Sequence, residues 1–200
     1  MPADAVMTLG CGNPVALAEL RPGETVLDLG SGGGLDAFLA AQRVGATGLV
    51  IGVDATPEMV NRANENAKKA RLENVQFKHA LIERLPLDDG SIDVVISNCV
   101  MNHCSDKLRA FKEVYRVLKP GGRMCVSDLV TVGEFSEDVL KDEVWGEWLK
   151  VAESRSDYLR AIEQAGFQEV RVEEETTFPM AENDERLKGR IASMLITARK

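Results

Sequence analysis

The sequence is short of cysteine, of aromatic residues, and of long runs that are either apolar or basic. Four cysteines in 200 residues are too few for a disulfide scaffold, and no Cys-x-x-Cys pair indicates a zinc site or another structural metal. No apolar run approaches the ~18 residues of a membrane span, and the first residues lack the cationic start and apolar core of a secretory signal. We therefore expect a cytoplasmic protein with free thiols.

Charge and size narrow the possible classes further. The formal net charge is -8, and no run of Lys or Arg is longer than the pairs Lys68-Lys69 and Arg199-Lys200, so the sequence predicts no basic surface for nucleic acid. A small-molecule substrate is expected instead, and nothing in the sequence indicates an oligomeric state. The 44% hydrophobic and 28% charged content is typical of a folded globular chain, and its length fits one domain.

Apolar runs rich in β-branched residues alternate with segments of helical period, which predicts an α/β fold: a doubly wound, mostly parallel sheet with helices on both faces. The predicted strands are 25–29, 49–53, 74–77, 92–97, 123–127, 167–172 and 191–198. Within a single domain of residues 1–200, we expect 1–23 to lie over the active site and 24–130 to form the cofactor-binding core. Residues 131–200 supply the substrate-side helices and the last strands.

A glycine-rich loop, Asp28-Leu29-Gly30-Ser31-Gly32-Gly33-Gly34, joins the first strand to a helix. Backbone without Cβ can approach a ligand closely there, although a loop of this kind also fits an ordinary tight turn. The dinucleotide fingerprint requires a third glycine where Leu35 stands. An aspartate before the loop suits a cofactor with a cationic amino acid end, and Asp54, about 20 residues after the loop, suits ribose hydroxyls.

These motifs, with Val117-Leu118-Lys119-Pro120-Gly121-Gly122-Arg123, resemble the class I S-adenosylmethionine methyltransferases. The resemblance implies a seven-stranded sheet with an antiparallel last strand and S-adenosylmethionine as cofactor. It also implies that Asp28 and the glycines hold the methionine part, Asp54 the ribose, and the stretch 81–83 the adenine. The expected cofactor-binding residues are Asp28, Gly30, Ser31, Gly32, Gly34, Asp54, Ala55, Thr56, Leu81, Ile82, Glu83 and Asn98.

A narrower resemblance is to the arsenite methyltransferases. It is carried by Leu9-Gly10-Cys11-Gly12-Asn13-Pro14, Gly52-Val53-Asp54-Ala55-Thr56-Pro57-Glu58-Met59, Val95-Ile96-Ser97-Asn98-Cys99-Val100-Met101-Asn102 and Val144-Trp145-Gly146-Glu147. The resemblance implies that trivalent arsenic, which is soft and thiophilic, is held by cysteine thiolates and attacks the sulfonium methyl in line. The residues expected at the substrate are Cys99 as the catalytic thiol, with Cys11, Cys104, His103 and Trp148.

This chain departs from that family in ways that leave alternatives open. Trp148 stands where a further arsenic-binding cysteine is expected, and Cys104 is either a substitute ligand or a bystander. One alternative is a methyltransferase for an organic acceptor, with Trp145 and Trp148 lining an apolar pocket and His103 accepting the proton. Another is a noncatalytic relative that only binds the cofactor. We expect Cys125 in the core and His79 at the surface.

Overall fold

The computed structural model describes residues 12–143, 145–146, 149, 152–179 and 181–200. Cys11 and Trp148, both predicted at the substrate, therefore lie outside the described residues. No helix in the described part of the chain is both long enough and apolar enough to cross a membrane.

Seven strands form one sheet in the order β3-β2-β1-β4-β5-β7-β6. β7 runs antiparallel to both β5 and β6, whereas the other pairs are parallel, so the predicted fold class is confirmed. The strands are β1 (Thr25–Leu29), β2 (Leu49–Asp54), β3 (Val75–His79), β4 (Ile92–Asn98), β5 (Leu118–Thr131), β6 (Gln168–Thr177) and β7 (Ile191–Arg199). β5 and β6 are longer than predicted because β7 pairs with them along nearly its whole length.

Helices cover both faces of the sheet because successive strand residues point to opposite sides. In β1, Val26 packs with Ala37 and Val44 on one face, whereas Leu27 packs with Phe111 and Tyr158 on the other. The helices are α1 (Pro14–Leu17), α2 (Leu35–Val44), α3 (Pro57–Ala70), α4 (Lys107–Val117), α5 (Glu137–Leu140) and α6 (Arg155–Gln164). The sequence predicts a helix around 139–151, but α5 ends at Leu140 and residues 141–143 are not helical. Part of the remaining range lies outside the described residues.

The sequence Thr56-Pro57 predicts that the Thr56 hydroxyl caps the N-terminus of α3. Thr56 is the N-cap residue, but its hydroxyl makes no capping hydrogen bond, so the predicted hydroxyl cap is wrong. Instead, the Thr56 N–H donates to Asp54 Oδ1 at 2.9 Å, which fixes the turn between β2 and α3. Gly166 follows the end of α6 with φ +108°, as expected of a glycine at that position. The division of the chain at residues 23 and 130 stays a prediction.

Candidate active site

A cavity of about 420 Å³ opens at the carboxyl ends of β1 and β2. β1 lies between β2 and β4, so the connections leave it in opposite directions, and open α/β sheets bind ligands at such a switch point. The described lining residues are Gly30, Asp54, Ala55, Thr56, Leu81, Ile82, Glu83, Val100, His103, Cys104 and Ser105. Seven of the predicted cofactor-binding residues are among them.

The glycine loop forms one wall of this region, and two of its glycines have different roles. Gly30 has φ +65°, and a Cβ there would lie 2.7 Å from Val100 Cβ, so only glycine lets the loop pack under Val100. Gly32 has φ +49°, and a Cβ there would meet nothing within 4 Å. The Gly32 backbone therefore faces open space, as a loop that receives a ligand requires.

Asp54 connects the loop to the end of β2. Its Oδ2 accepts the Gly32 N–H and its Oδ1 accepts the Thr56 N–H, each at 2.9 Å. A carboxylate has about four acceptor positions, so about two remain for ligand hydroxyls. This arrangement fits the predicted ribose contact, which stays a prediction.

Asp28 lies buried beneath the loop with 2% of its surface exposed. Burial, with the nearby carboxylates Asp36 and Asp54, raises the pKa of Asp28 well above its usual range. Within the described part of the chain, its Oδ2 has no hydrogen-bond partner, and none of the described residues that line the cavity is Lys or Arg. Such a carboxylate-rich site complements a cationic amino acid end and disfavours a pyrophosphate.

The opposite side of the cavity is apolar. Leu81 has 60% of its surface exposed although it is large and hydrophobic, and it lines the cavity beside the buried Ile82. Glu83 Oε1 accepts the N–H of Ser105 at 2.9 Å and its hydroxyl at 3.2 Å. Leu81 and Ile82 thus give this wall an apolar surface, which fits the predicted adenine contact, and that contact stays a prediction. Glu83 joins this wall to the loop before α4. Ser105 is not among the residues that the sequence predicts at the site.

The methyltransferase domain family model matches residues 20–166, which include the glycine loop, Asp54 and the adenine-side wall. The chain belongs to this methyltransferase domain family. The match confirms the predicted fold and enzyme class, with S-adenosylmethionine as the cofactor. The buried, unpartnered Oδ2 of Asp28 and the open backbone at Gly32 fit that group.

Several relatives are arsenite methyltransferases, as the narrower resemblance predicts. The enzyme from Halobacterium salinarum is 51% identical over 169 residues, which are 84% of this chain and 43% of the relative. The human enzyme is 38% identical over 155 residues, covering 72% of this chain and 41% of the relative. The methyltransferase domain thus spans less than half the length of these two relatives.

Among solved structures, an arsenic(III) S-adenosylmethionine methyltransferase from Chlamydomonas reinhardtii is 38% identical with a TM-score of 0.80. The match covers 96% of this chain and 67% of that one. YcgJ of Bacillus subtilis, at 22% identity and a TM-score of 0.77, shows the shared fold alone.

Cys99 directly follows β4 and borders an apolar cluster that is separate from the main core. The buried members of this cluster are Leu129, Val139, Leu149, Ala181, Leu187 and Ile191. Cys99 is half-buried and packs against this cluster with Phe135, Trp145 and Phe178. Its φ is +56°, an uncommon conformation for a residue with a Cβ. Cys99 is disulfide-bonded, so the expectation of free thiols is wrong for this residue, and its sulfur must be reduced before it can bind another atom.

Asn98, the chain neighbour of Cys99, was predicted to contact the cofactor. Its Nδ2 donates to Gly12 O at 3.0 Å and to Asp36 Oδ2 at 3.1 Å. A Cβ on Gly12 would lie 2.9 Å from Ser127 Cβ, so the chain before α1 crosses close over β5. Asn98 therefore joins the N-terminal segment, β4 and α2 at the carboxyl edge of the sheet.

Two residues predicted at the substrate line the cavity described above, which we call the cofactor cavity. His103 and Cys104 both line it, and Cys104 packs in the main core rather than in the cluster beside Cys99. Burial, chiefly, raises the pKa of Cys104 to about 12, so its thiol is protonated at neutral pH. Cys125 is 1% exposed and His79 is exposed, which confirms both predictions.

Sequence reasoning missed the polar residues that support the site from behind. The side chain of Asn66 in α3 is buried and donates to Gly33 O at 3.1 Å. Asp128, Asn102 and Tyr158 form a buried hydrogen-bonded group. Asn102 lies three residues after Cys99 in the sequence. Each of these polar residues lies on a different element, so no local pattern identified them.

Proposed function

We propose that this methyltransferase domain transfers a methyl group from S-adenosylmethionine to trivalent arsenic held by the thiolates of Cys99 and Cys11. The observation that carries the proposal is the hydrogen bond from Asn98 to Gly12 O. Asn98 and Gly12 are the chain neighbours of the two cysteines. This bond holds Gly12, at the start of the described residues, at the carboxyl end of β4 beside Cys99, and the family resemblance implies Cys11 as the second thiolate.

The state of the described cysteines sets a requirement. Cys104 and Cys125 are free thiols, whereas Cys99 is disulfide-bonded. Arsenic binding then requires that a dithiol reductant first supplies two electrons and two protons, leaving two thiols and an oxidised reductant. This requirement fits the reducing cytoplasmic compartment expected from the composition.

The chemistry needs positioning more than acid–base catalysis. The cofactor supplies a sulfonium methyl; as the arsenic lone pair forms the As–C bond, the S–C bond breaks and its electron pair stays on sulfur. The thiolates orient the arsenic, and the carboxylates of Asp28 and Asp54 hold the cationic cofactor. The apolar cluster beside Cys99, with Phe135 and Trp145, limits the access of water. Because no proton leaves the arsenic atom, no general base is required.

We propose that Cys104 is not an arsenic ligand. Its thiol is buried, its pKa is raised to about 12, and it belongs to the cofactor cavity. Trp148, where the family resemblance implies a third cysteine, lies outside the described residues. The proposed site therefore holds arsenic with two protein thiolates, and we expect weaker arsenic binding than a three-thiolate site gives.

The decisive experiment is an acceptor screen with methyl-labelled S-adenosylmethionine, run with and without dithiothreitol. We expect labelled product from arsenite or methylarsenite only with the reductant, and none from Cys99→Ser. Cys125→Ala is the matched control, because this buried cysteine lies in the cluster of α1 and α2, and it keeps the activity. Cofactor binding without product from any acceptor would overturn the proposal and leave a noncatalytic relative.

The placement of His103 favours one second candidate, a methyltransferase for an organic acceptor. His103 is exposed and lines the cofactor cavity, where an imidazole can accept a proton from an oxygen or nitrogen nucleophile. In the same screen, this candidate predicts product from an organic acceptor, loss of that activity in His103→Ala, and no effect of Cys99→Ser. The arsenic proposal predicts the reverse pattern.

A further inference from the structure

The segment of residues 99–103 carries Cys99 in a conformation that its surroundings must maintain. Cys99 has φ +56°, and such backbone strain persists only where neighbouring contacts hold it. The segment continues directly into a single 3₁₀ turn, Met101–His103. The contacts that fix this turn therefore also fix the direction of the Cys99 side chain.

Two adjacent residues of β5 anchor the two ends of this segment. At its start, the Cys99 N–H donates to Ser127 O at 2.8 Å. At its end, the carboxylate of Asp128 accepts the Asn102 backbone N–H at 3.2 Å and the Asn102 Nδ2 at 2.8 Å. Asn102 Nδ2 also donates to Leu129 O at 2.6 Å. The segment is thus fixed along β5 at both ends.

Asp128 is surrounded by donors and is suited to act as an ionised acceptor. Only 1% of its surface is exposed, and besides Asn102 it accepts the Leu129 N–H at 2.9 Å and the Tyr158 hydroxyl at 3.2 Å. A carboxylate accepts all of these bonds, whereas an amide would set its NH₂ against other donors. Burial raises the pKa of Asp128 to about 7, so this group is costly to keep ionised.

We propose that Asp128 is a positioning residue that fixes the segment 99–103 and thereby holds Cys99 in the backbone conformation that sets the direction of its thiol. The proposal rests on the proposed function for the role of Cys99, but the positioning itself can be measured without arsenic. Asp128 does not touch the reacting atoms. It acts through Asn102, whereas the Tyr158 hydroxyl of α6 donates to Asp128 itself.

The test compares Asp128→Asn with the unmodified chain after reduction. The rate at which iodoacetamide alkylates Cys99, followed peptide by peptide by mass spectrometry, rises about tenfold once the anchor is lost, because one charge-assisted hydrogen bond is worth about this factor. In the same variant, kcat/KM for arsenite falls by about 10- to 100-fold. The Kd of S-adenosylhomocysteine changes by less than about threefold, since the cofactor contacts lie on other elements.

Three further variants separate positioning from a loss of stability. Asn102→Ala keeps the carboxylate but removes its side-chain bond, and it raises the Cys99 alkylation rate even if Asp128→Asn does not fold. Tyr158→Phe removes a donor that does not belong to the segment, and Asp93→Asn removes bonds to Thr25 and Lys119 at the other end of β4. Both lower the thermal midpoint but leave the Cys99 alkylation rate unchanged.

An unchanged Cys99 alkylation rate in both Asp128→Asn and Asn102→Ala overturns the proposal, as does an equal rise in all four variants. If the unmodified chain does not methylate arsenite, the proposed function fails, and the alkylation rates alone decide whether Asp128 positions Cys99. The failure of one proposal is thereby distinguished from the failure of the other.

Discussion

At the residue scale, the buried carboxyl group of Asp28, which we predict to bind the cofactor, lowers the stability of the cofactor-free fold. Its carboxyl group is buried beside Asp36 and Asp54, and its pKa is raised well above the usual range by burial first and by these charges second. Because Oδ2 has no partner within the described residues, we predict that a cationic group of the cofactor completes its hydrogen bonding. The same features predict opposite effects of one substitution on stability and on binding.

We expect Asp28→Asn to raise the free energy of unfolding of the cofactor-free protein at pH 8 by about 1–2 kcal/mol, since a buried charge is removed. The same variant weakens S-adenosylmethionine binding about 10- to 100-fold, because a charge-assisted hydrogen bond is lost. Urea denaturation and isothermal titration calorimetry measure the two quantities. Unaltered cofactor affinity would show that Asp28 does not contact the cation.

At the element scale, the glycine loop depends on α3 for its support. Asn66 is 1% exposed, and its Nδ2 donates to Gly33 O at 3.1 Å, which joins the buried face of α3 to the loop. The sequence predicts a buried stripe on α3 formed by Met59, Val60, Ala63, Ala67 and Ala70. Val60, Ala63 and Ala67 are buried, whereas the other two are only partly buried. Asn66 lies on the same face, where a polar side chain is unexpected without a partner.

We predict that Asn66→Ala lowers the free energy of unfolding by about 1–3 kcal/mol, because Gly33 O loses its buried donor. The loosened loop also binds S-adenosylhomocysteine about tenfold more weakly. The matched control is Asn64→Ala in the same helix, whose Nδ2 donates to Val60 O within α3 at 2.9 Å; this variant leaves the cofactor Kd unchanged. Equal losses of affinity in both variants would contradict a specific role for Asn66.

At the scale of the whole molecule, the carboxyl groups fall into two classes with opposite effects on stability. Asp28, Asp36 and Asp128 are buried and have raised pKa values. Hydrogen bonds and ion pairs instead lower the pKa values of Glu24, Asp93 and Glu113 despite partial burial. Above pH 5 the first class binds more protons in the folded than in the unfolded state, so their contribution decreases as pH rises.

We therefore expect the cofactor-free protein to be most stable near pH 5, since the paired carboxylates lose their contribution as pH falls below about 4.5. Between pH 5 and pH 8 the free energy of unfolding falls by about 3 kcal/mol, given the pKa of about 7 for Asp128. Urea denaturation across this range measures the slope. Glu113→Gln lowers stability throughout the range without changing the slope, whereas stability that rises toward pH 8 would refute the assignment.

The sequence alone predicts much of the fold and of the cofactor site because both depend on local patterns. Strand and helix periods identified all seven strands, and glycines at a strand end, followed by Asp54, identified the cofactor loop. Seven predicted residues line the cavity as expected. The substrate roles predicted for His103 and Cys104, which both line this cavity, stay predictions.

What the sequence determined by itself is the alternation of strands and helices, the loop chemistry and the family, since these are set by residues close together in the chain. Only the tertiary structure decided that Cys99 adopts a left-handed conformation and that Asp128 joins Asn102 to Tyr158. It also decided that burial raises the pKa of Cys104. Desolvation and hydrogen-bond partners come from segments distant in sequence, and no local pattern encodes them.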